Sequence, residues 1–206
     1  MLQFYKFRTY KLNRLYDILK DSNKIIEMHV GRNIIGDDCF ESCKNWLIED
    51  ITMNCTLIVY INSFGGYFWE TIRFINFLKN LKLSHGIKLI TVGFGYCASA
   101  ATFIHSIGDI KIVCRNTIYL IHNVRRLNLR TNKIKIYANY KKYYKSNTFK
   151  KMKSIYIESS NIIERELKNK LKKEYIFVKK EMISIGICDI IFYDIDTFYN
   201  LVNKYL

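Results

Sequence analysis

The stretch TLIVYINSFGG, residues 56–66, decides the predicted fold of this chain. Its first six residues form a nearly continuous apolar run, which is typical of a strand buried on both faces of a parallel sheet. The run ends at Asn62, and the composition that follows, with Gly65 and Gly66, predicts a turn. Apolar residues at helical spacing then predict a helix over 67–83. A buried strand, a turn and a helix in this order predict an α/β protein.

The same order of strand, glycine turn and helix recurs further along the chain. A buried strand is predicted at 89–92, the glycines at 93–95 are predicted to end it, and 98–107 predicts a short helix. Strands that alternate with helices across short turns predict one α/β domain with a parallel sheet over 1–206. The other predicted elements are strands at 24–30, 110–114, 117–121 and 190–193, helices at 39–49 and 175–185, and a long polar helical stretch at about 131–168.

Composition limits the class of protein. The chain has 206 residues, half of them apolar, so one domain with a sizeable core is expected. Collagen-like, disordered and disulfide-dense proteins are excluded. No apolar run reaches the length of about 18 residues that a membrane-spanning helix needs. The six cysteines include one close pair, Cys39 and Cys43, without a second pair, so we interpret them as reduced and predict no metal site.

Residues that are rare in this composition point to the candidate site. Heavy use of Lys, Asn, Ile, Tyr and Phe, with no Pro, fits an A+T-rich coding sequence. The chain has only four alanines, and three of them, Ala98, Ala100 and Ala101, flank Ser99. Six of the nine glycines lie between 65 and 108. Small residues that persist against this bias indicate places where a larger side chain is resisted.

Three features at predicted strand ends suggest acyl-transfer chemistry. Ligands of open α/β sheets bind at the carboxyl ends of the strands. The turn with Gly65 and Gly66 leaves backbone N–H groups free to receive an oxyanion. Ser99 lies near the start of a predicted helix, where the dipole favours negative charge. His122 ends the strand IYLIH, and its ring is expected to accept the proton of the serine hydroxyl.

These motifs, in this order, resemble the proteolytic subunit of the ATP-dependent Clp protease. The resemblance covers about residues 13–193 and implies a crotonase-like α/β fold with a protruding handle helix at about 131–168. We interpret residues 1–16, which are basic and acid-free, as an N-terminal arm. The motifs that carry the resemblance are INSFGG (61–66), GYCASAATFI (95–104), RNTIYLIHN (115–123) and GICD (186–189).

The resemblance implies a serine endopeptidase that cleaves unfolded polypeptides inside a ring chamber. It assigns the nucleophile to Ser99 and the general base to His122. The backbone N–H groups of Gly66 and Ala100 are the implied oxyanion donors.

The third member of the family's catalytic triad is an aspartate, and the corresponding segment here, ERELKNKLKKEYIF (164–177), has none. Counted back from GICD without a gap, the position falls on Lys170, and one extra residue moves it to Asn169. Asn169 could orient the ring of His122 but carries no charge, and replacing the aspartate of a serine protease by asparagine lowers turnover by about 10⁴. A catalytically inactive structural subunit of a mixed ring is therefore the alternative.

The resemblance also implies partners and a location. Family members form stacked heptameric rings, and this chain is expected to form a homo- or hetero-oligomer of that kind. The implied partner is an AAA+ Clp ATPase unfoldase, which uses the ATP, so no cofactor is expected in this chain. Because the handle region is rich in lysine, we expect the subunit to prefer a less basic partner ring. A plastid or plastid-like organelle is the expected location, with a bacterial cytoplasm as the alternative.

Two other classes of function were weighed. The net charge is +15, and lysines interleaved with tyrosines between Ile110 and Ile157 could bind RNA. Codon drift explains the lysines better, because no recognised RNA-binding motif is present, so nucleic-acid binding is not expected. An acyl-CoA enzyme of the same fold is disfavoured because neither glycine turn contains a glutamate.

Overall fold

The structure is a computed structural model that describes residues 9–31, 37–128, 133–135 and 140–206. Its helices are α1 Thr9–Lys20, α2 Asp37–Asp50, α3 Phe68–His85, α4 Ala100–Ser106, α5 Tyr140–Lys145, α6 Asn147–Ser159, α7 Glu164–Leu171, α8 Lys179–Ser184 and α9 Ile195–Val202. Its strands are β1 Ile25–Val30, β2 Thr56–Ser63, β3 Lys88–Ala98, β4 Ile110–Cys114, β5 Ile118–Ile121, β6 Arg126–Asn128, β7 Lys133–Lys135, β8 Tyr175–Ile176 and β9 Ile190–Phe192.

A parallel-rich sheet confirms the predicted α/β class. Strands β1, β2, β3, β4 and β9 are neighbours in that order, and all four pairings are parallel. The long strand β3 has two partners on one side: Ile90 lies opposite Ile110 of β4, whereas Ala98 lies opposite Leu120 of β5. Strand β8 then pairs with β5 in the antiparallel sense. This change of partner along β3 brings the end of β5 to the same edge of the sheet as the end of β3.

Strand β2 is buried on both faces, as its apolar run predicts. Leu57, Val59 and Ile61 belong to the larger core, which also takes in residues of α3, α4 and α6. Ile58 and Tyr60 belong to a second core on the other face, covered by α1 and α9. Because successive side chains of a strand point to opposite faces, a run without polar interruption fits this two-sided packing.

The prediction that glycines end the second strand is wrong. Strand β3 continues through Gly93 and Gly95 to Ala98. The register against β2 shifts after Ile61, and the carboxamide oxygen of Asn62 accepts the N–H of Tyr96 at 3.0 Å. Gly95 has a φ of +59°, and a Cβ there would lie 2.6 Å from that oxygen. Gly95 therefore accommodates an irregularity within the strand, and the strand delivers the chain to Ser99.

A single long helix over 131–168 is also wrong. The antiparallel pair β6 and β7 precedes three separate helices, α5, α6 and α7, and residues 129–132 and 136–139 lie outside the described residues. Ser146 separates α5 from α6, because its side chain accepts the N–H of Phe149 at 3.2 Å and so caps the second helix. Ser160 is extended and ends α6.

The first described residues form a helix, so the interpretation of 1–16 as an arm is wrong for residues 9–16. Helix α1 begins at Thr9, and residues 1–8 lie outside the described residues. Leu15 and Leu19 are buried against the sheet, at a spacing that matches one face of a helix. Along the stretches of chain that the structure describes, no helix is long and apolar enough to cross a membrane.

Asp189, in the predicted motif GICD, joins three elements. Its side chain is buried, one carboxylate oxygen accepts the N–H of Lys111 at 2.9 Å, and the other lies 3.2 Å from the Nζ of Lys11. Lys111 is the second residue of β4, and Lys11 lies in α1. The carboxylate therefore joins helix α1 and strand β4 to the segment that precedes β9.

Asp189→Asn is expected to lower the free energy of unfolding by about 1.5–3 kcal/mol, because the buried charge that pairs with Lys11 and strengthens the bond from the Lys111 N–H is lost. Asp50→Asn is the control, since the pair of Lys24 and Asp50 is exposed and worth at most about 1 kcal/mol. Urea unfolding at matched protein concentration measures both variants. Equal losses would contradict the role given to Asp189.

Candidate active site

Ser99 occupies a strained turn between β3 and α4. Its φ of 54° and ψ of −125° lie outside the regions that non-glycine residues normally adopt. Such strain is found where a strand turns sharply into a helix and exposes a nucleophilic hydroxyl. The N–H of Ser99 donates to the carbonyl of Leu120 at 2.8 Å, and its own carbonyl accepts the N–H of Thr102 at 3.1 Å. These main-chain bonds hold the serine in place.

The double-glycine turn lies directly against Ser99. Gly65 has a φ of +106°, and a Cβ at this position would lie 2.7 Å from the Cβ of Ser99 and 2.8 Å from the carbonyl oxygen of Ala98. The same Cβ would lie 2.9 Å from the backbone nitrogen of Ala100. The structure therefore brings together the two turns that the sequence analysis singled out, and only glycine permits this approach.

The predicted oxyanion donors come from these two turns. Ala100 is buried and is the first residue of α4, so its N–H has no carbonyl of the preceding turn to bind. Gly66 is half-buried and follows Gly65 in the loop between β2 and α3. Their assignment as donors remains a prediction, consistent with the contact between Gly65 and the Ala100 nitrogen.

His122 directly follows β5, at the sheet edge where Ser99 lies. Its Nδ1 lies 2.6 Å from the main-chain oxygen of Asn123. Because a carbonyl only accepts, this contact fixes the proton on Nδ1 and leaves the Nε2 lone pair available. That tautomer is the one a general base needs. Within the described residues no hydrogen bond joins the ring to the hydroxyl of Ser99, and catalytic hydrogen bonds often tighten only when substrate binds.

The surroundings of His122 favour its neutral form. Burial of the ring is the largest influence and lowers the pKa of His122 below its usual value. The Asn123 carbonyl raises the pKa, the charge of Arg125 lowers it, and the charge of Glu174 raises it. At neutral pH the ring is therefore ready to accept a proton.

Neither predicted position for a third member is joined to His122. Asn169 is exposed near the end of α7, and its side-chain oxygen accepts from Lys172 at 3.2 Å. Lys170 pairs with Glu181 and lies 3.8 Å above the ring of Tyr175. Among the described residues, neither side chain hydrogen-bonds to His122. The orienting group is a main-chain carbonyl, which leaves no signature in a sequence.

The side chain of Asn123 does not contribute to the orientation of His122. It is only 6% exposed, and neither its nitrogen nor its oxygen has a partner within the described part of the chain. The main-chain oxygen alone makes the contact with the imidazole. A substitution of the Asn123 side chain would therefore leave the orienting group in place.

The other histidines have structural surroundings. His105 is fully buried, its Nε2 lies 2.9 Å from the carbonyl of Ile112, and burial lowers its pKa to about 4. His29 stacks on Tyr60 at 4.7 Å. Across the described ranges, no group of three His, Cys, Asp or Glu side chains is placed to hold a metal ion.

Comparison with known proteins agrees with this fold. The family model of the Clp protease matches residues 11–194, so the chain belongs to the Clp protease family. A solved structure of a ClpP1 mutant from Listeria monocytogenes is similar, with 15% identity, a TM-score of 0.55, and coverage of 88% of this chain and 98% of that one. A crystal structure described only as that of an enzyme has 17% identity, a TM-score of 0.56, and coverage of 81% and 94%. No curated protein matches.

Gly65→Ala is expected to slow labelling of Ser99 by a fluorophosphonate probe about 100-fold, because a displacement of about 1 Å at a reacting group costs that much. Gly31→Ala is the control, since a Cβ at Gly31 meets nothing within 4 Å. Labelling is measured by mass spectrometry of the serine peptide. Equal rates in the two variants would show that the close approach does not position the serine.

Proposed function

We propose that this chain is a serine-type endopeptidase subunit of an ATP-dependent Clp protease that cleaves unfolded polypeptides. One observation carries the proposal: Ser99 is held in a strained strand-to-helix turn against Gly65, at the sheet edge where β5 delivers His122. Membership of the Clp protease family supports the same activity.

The roles follow from this geometry. The hydroxyl oxygen of Ser99 attacks the peptide carbonyl, and Nε2 of His122 takes the hydroxyl proton. The N–H groups of Gly66 and Ala100 bind the oxyanion of the tetrahedral intermediate. His122 then gives the proton to the leaving amine, and water hydrolyses the acyl-serine in a second passage through the same steps.

The Asn123 carbonyl replaces only part of what an aspartate supplies. It orients the ring and fixes the proton on Nδ1. An asparagine side chain in place of the aspartate can instead favour the opposite tautomer. It carries no full negative charge, so the imidazolium that forms during attack is less stabilised than beside a carboxylate. We therefore expect slow turnover, with a loss smaller than the factor of about 10⁴ that accompanies the wrong tautomer.

The second candidate function is that of an inactive structural subunit in a mixed ring. The observation that favours it is that, among the residues the structure describes, the ring of His122 is hydrogen-bonded to the Asn123 carbonyl and to no carboxylate. The two candidates differ in whether Ser99 reacts as a nucleophile.

Assembly is proposed on the basis of the family, whose members form oligomeric rings. We expect homo- or hetero-oligomeric stacked heptameric rings that work with an AAA+ Clp ATPase unfoldase, with no cofactor in this chain. Exposed lysines on α5 and α6, such as Lys142, Lys145 and Lys150, support a preference for a less basic partner ring. A plastid-like organelle, or alternatively a bacterial cytoplasm, remains the proposed location.

The pH dependence of Ser99 labelling tests the activity. Because the pKa of His122 is lowered, its neutral form persists as the pH falls past the usual histidine value. The labelling rate is therefore expected to stay level down to about pH 6.5, the ordinary histidine pKa, and to fall only below it. His122→Gln is expected to reduce the rate by about 10²–10⁴ at all these pH values.

Ser99→Ala serves as the control for labelling at other residues. A folded protein whose Ser99 is not labelled at any pH would overturn the endopeptidase proposal and favour the structural subunit. Labelling that falls already between pH 8 and 7 would contradict the lowered pKa of His122.

A further inference from the structure

We propose that Glu174 is a positioning residue for His122, which supplies the negative charge that the absent triad aspartate would have given. Glu174 lies four residues after Lys170 in the sequence, outside the two positions predicted for the third member of the triad. The inference rests on the proposed function, since it concerns the general base of the same site.

The observed pairing of β5 with β8 ends one residue before His122 and Glu174. The two strands are antiparallel, with Leu120 opposite Ile176 and Ile121 opposite Tyr175. Continued by one residue, the same register sets His122 opposite Glu174. Directly opposed residues of an antiparallel pair have their Cβ atoms about 4.5–5.5 Å apart.

The neighbouring candidates are committed to other partners. The amide oxygen of Asn169 is engaged by Lys172, and Lys170 is held by Glu181 and by Glu166 at 3.5 Å. Glu174 instead pairs with Arg125, which follows His122 by three residues. Among the described residues, Glu174 is therefore the acid whose ion pair crosses from β8 to the segment that carries the base.

Two opposite charges act on His122 from the elements packed around it. Arg125 acts from the segment after β5, and Glu174 acts from the residue before β8, whereas the turn after β3 contributes the uncharged Ser99. Burial is the largest influence and lowers the pKa of His122; of the two charges, Arg125 lowers it and Glu174, whose influence is the smaller, raises it. Both side chains are partly exposed, 57% for Glu174 and 36% for Arg125, so salt screens their effects.

The charge of Glu174 matters most when His122 becomes an imidazolium. During attack by Ser99 the ring gains a proton, and a nearby carboxylate stabilises that form. Arg125 opposes the same change. The site thus has an electrostatic balance in place of the direct hydrogen bond between a carboxylate and the ring.

Modification of His122 by diethyl pyrocarbonate tests this balance without requiring catalysis. The reagent acylates only a neutral imidazole, and peptide mass spectrometry reports each histidine separately, so the rate against pH gives the titration midpoint of His122. Glu174→Gln is expected to move this midpoint to lower pH, and Arg125→Gln is expected to move it to higher pH. At a pH below the wild-type midpoint, the modification rate should rise in Glu174→Gln and fall in Arg125→Gln. Each change should be about twofold to fivefold, the size expected for one exposed charge.

Midpoint shifts of His122 in opposite directions distinguish an electrostatic effect from a structural one. If the ion pair only links β5 to β8, both variants break the same contact and shift the midpoint in the same direction. Glu158→Gln is the matched control, because Glu158 is an exposed glutamate on α6 that pairs with Lys79 at 3.8 Å. The midpoints of His29 and His85 serve as internal references and should not change.

The labelling rate of Ser99 at pH 7.5 provides the catalytic readout. It is expected to fall about twofold to fivefold in Glu174→Gln and to rise in Arg125→Gln, with Glu174→Asp close to the wild type. In 1 M salt, where the screening length is about 3 Å, the differences should largely vanish.

Unchanged midpoints, or equal shifts in both variants, would overturn the role of Glu174. Opposite midpoint shifts without any Ser99 labelling would support the role and overturn the endopeptidase activity instead.

Discussion

The hydrogen bond from the N–H of Ser99 to the carbonyl of Leu120 connects the two halves of the site. Ser99 stands at the end of β3, and Leu120 lies in β5, two residues before His122. The bond extends the parallel pairing of these strands by one step, beyond the point where Ala98 lies opposite Leu120. It offsets part of the strain of a positive φ, which costs on the order of 1–3 kcal/mol. Main-chain pairing of β3 with β5 therefore brings Ser99 and His122, the proposed nucleophile and base, to one edge of the sheet.

Charge is distributed around this framework differently from a Ser-His-Asp triad. The main-chain oxygen of Asn123 sets the tautomer of His122, while Glu174 and Arg125 supply opposed charges from the partly exposed rim. Orientation and charge, which one aspartate combines in a Ser-His-Asp triad, are separated here. A carbonyl cannot change its protonation state, so orientation of the ring is independent of pH. The electrostatic contribution, by contrast, depends on salt because its groups are in contact with solvent.

Much of the fold could be predicted because it depends on side-chain patterns. The apolar run of β2, the glycines that follow it and the small residues around Ser99 all reflect packing that any other residue type would disturb. The course of β3 through Gly95 could not be read in the same way, because a glycine within a bulged strand has the same composition as a glycine in a turn. The strands at 126–128 and 133–135 were missed since short polar segments carry little periodicity.

The candidate site likewise contains features that a side-chain pattern reveals and features that it does not. Ser99 and His122 were found because each follows a buried strand, and the structure places them at one sheet edge. The contact made by Asn123 is a main-chain contact, and the position of Glu174 depends on the register of β8, which is only two residues long. Distance in sequence from GICD carries no information on Glu174, whose relation to His122 depends on the pairing of β5 with β8. The register of β5 against β8 is what relates Glu174 to His122.

The ion pair between Lys11 and Asp189 has a consequence for the order in which the molecule is completed. Lys11 and Asp189 are 178 residues apart in the sequence, so helix α1 is synthesised long before its buried partner. Until then Ile58 and Tyr60 lack part of their cover, because α1 and α9 close the same face of the sheet. Contacts of such long sequence separation form slowly. A newly made chain therefore exposes an apolar sheet face until Asp189 and α9 are made, a period in which association with chaperones or with other copies competes with folding.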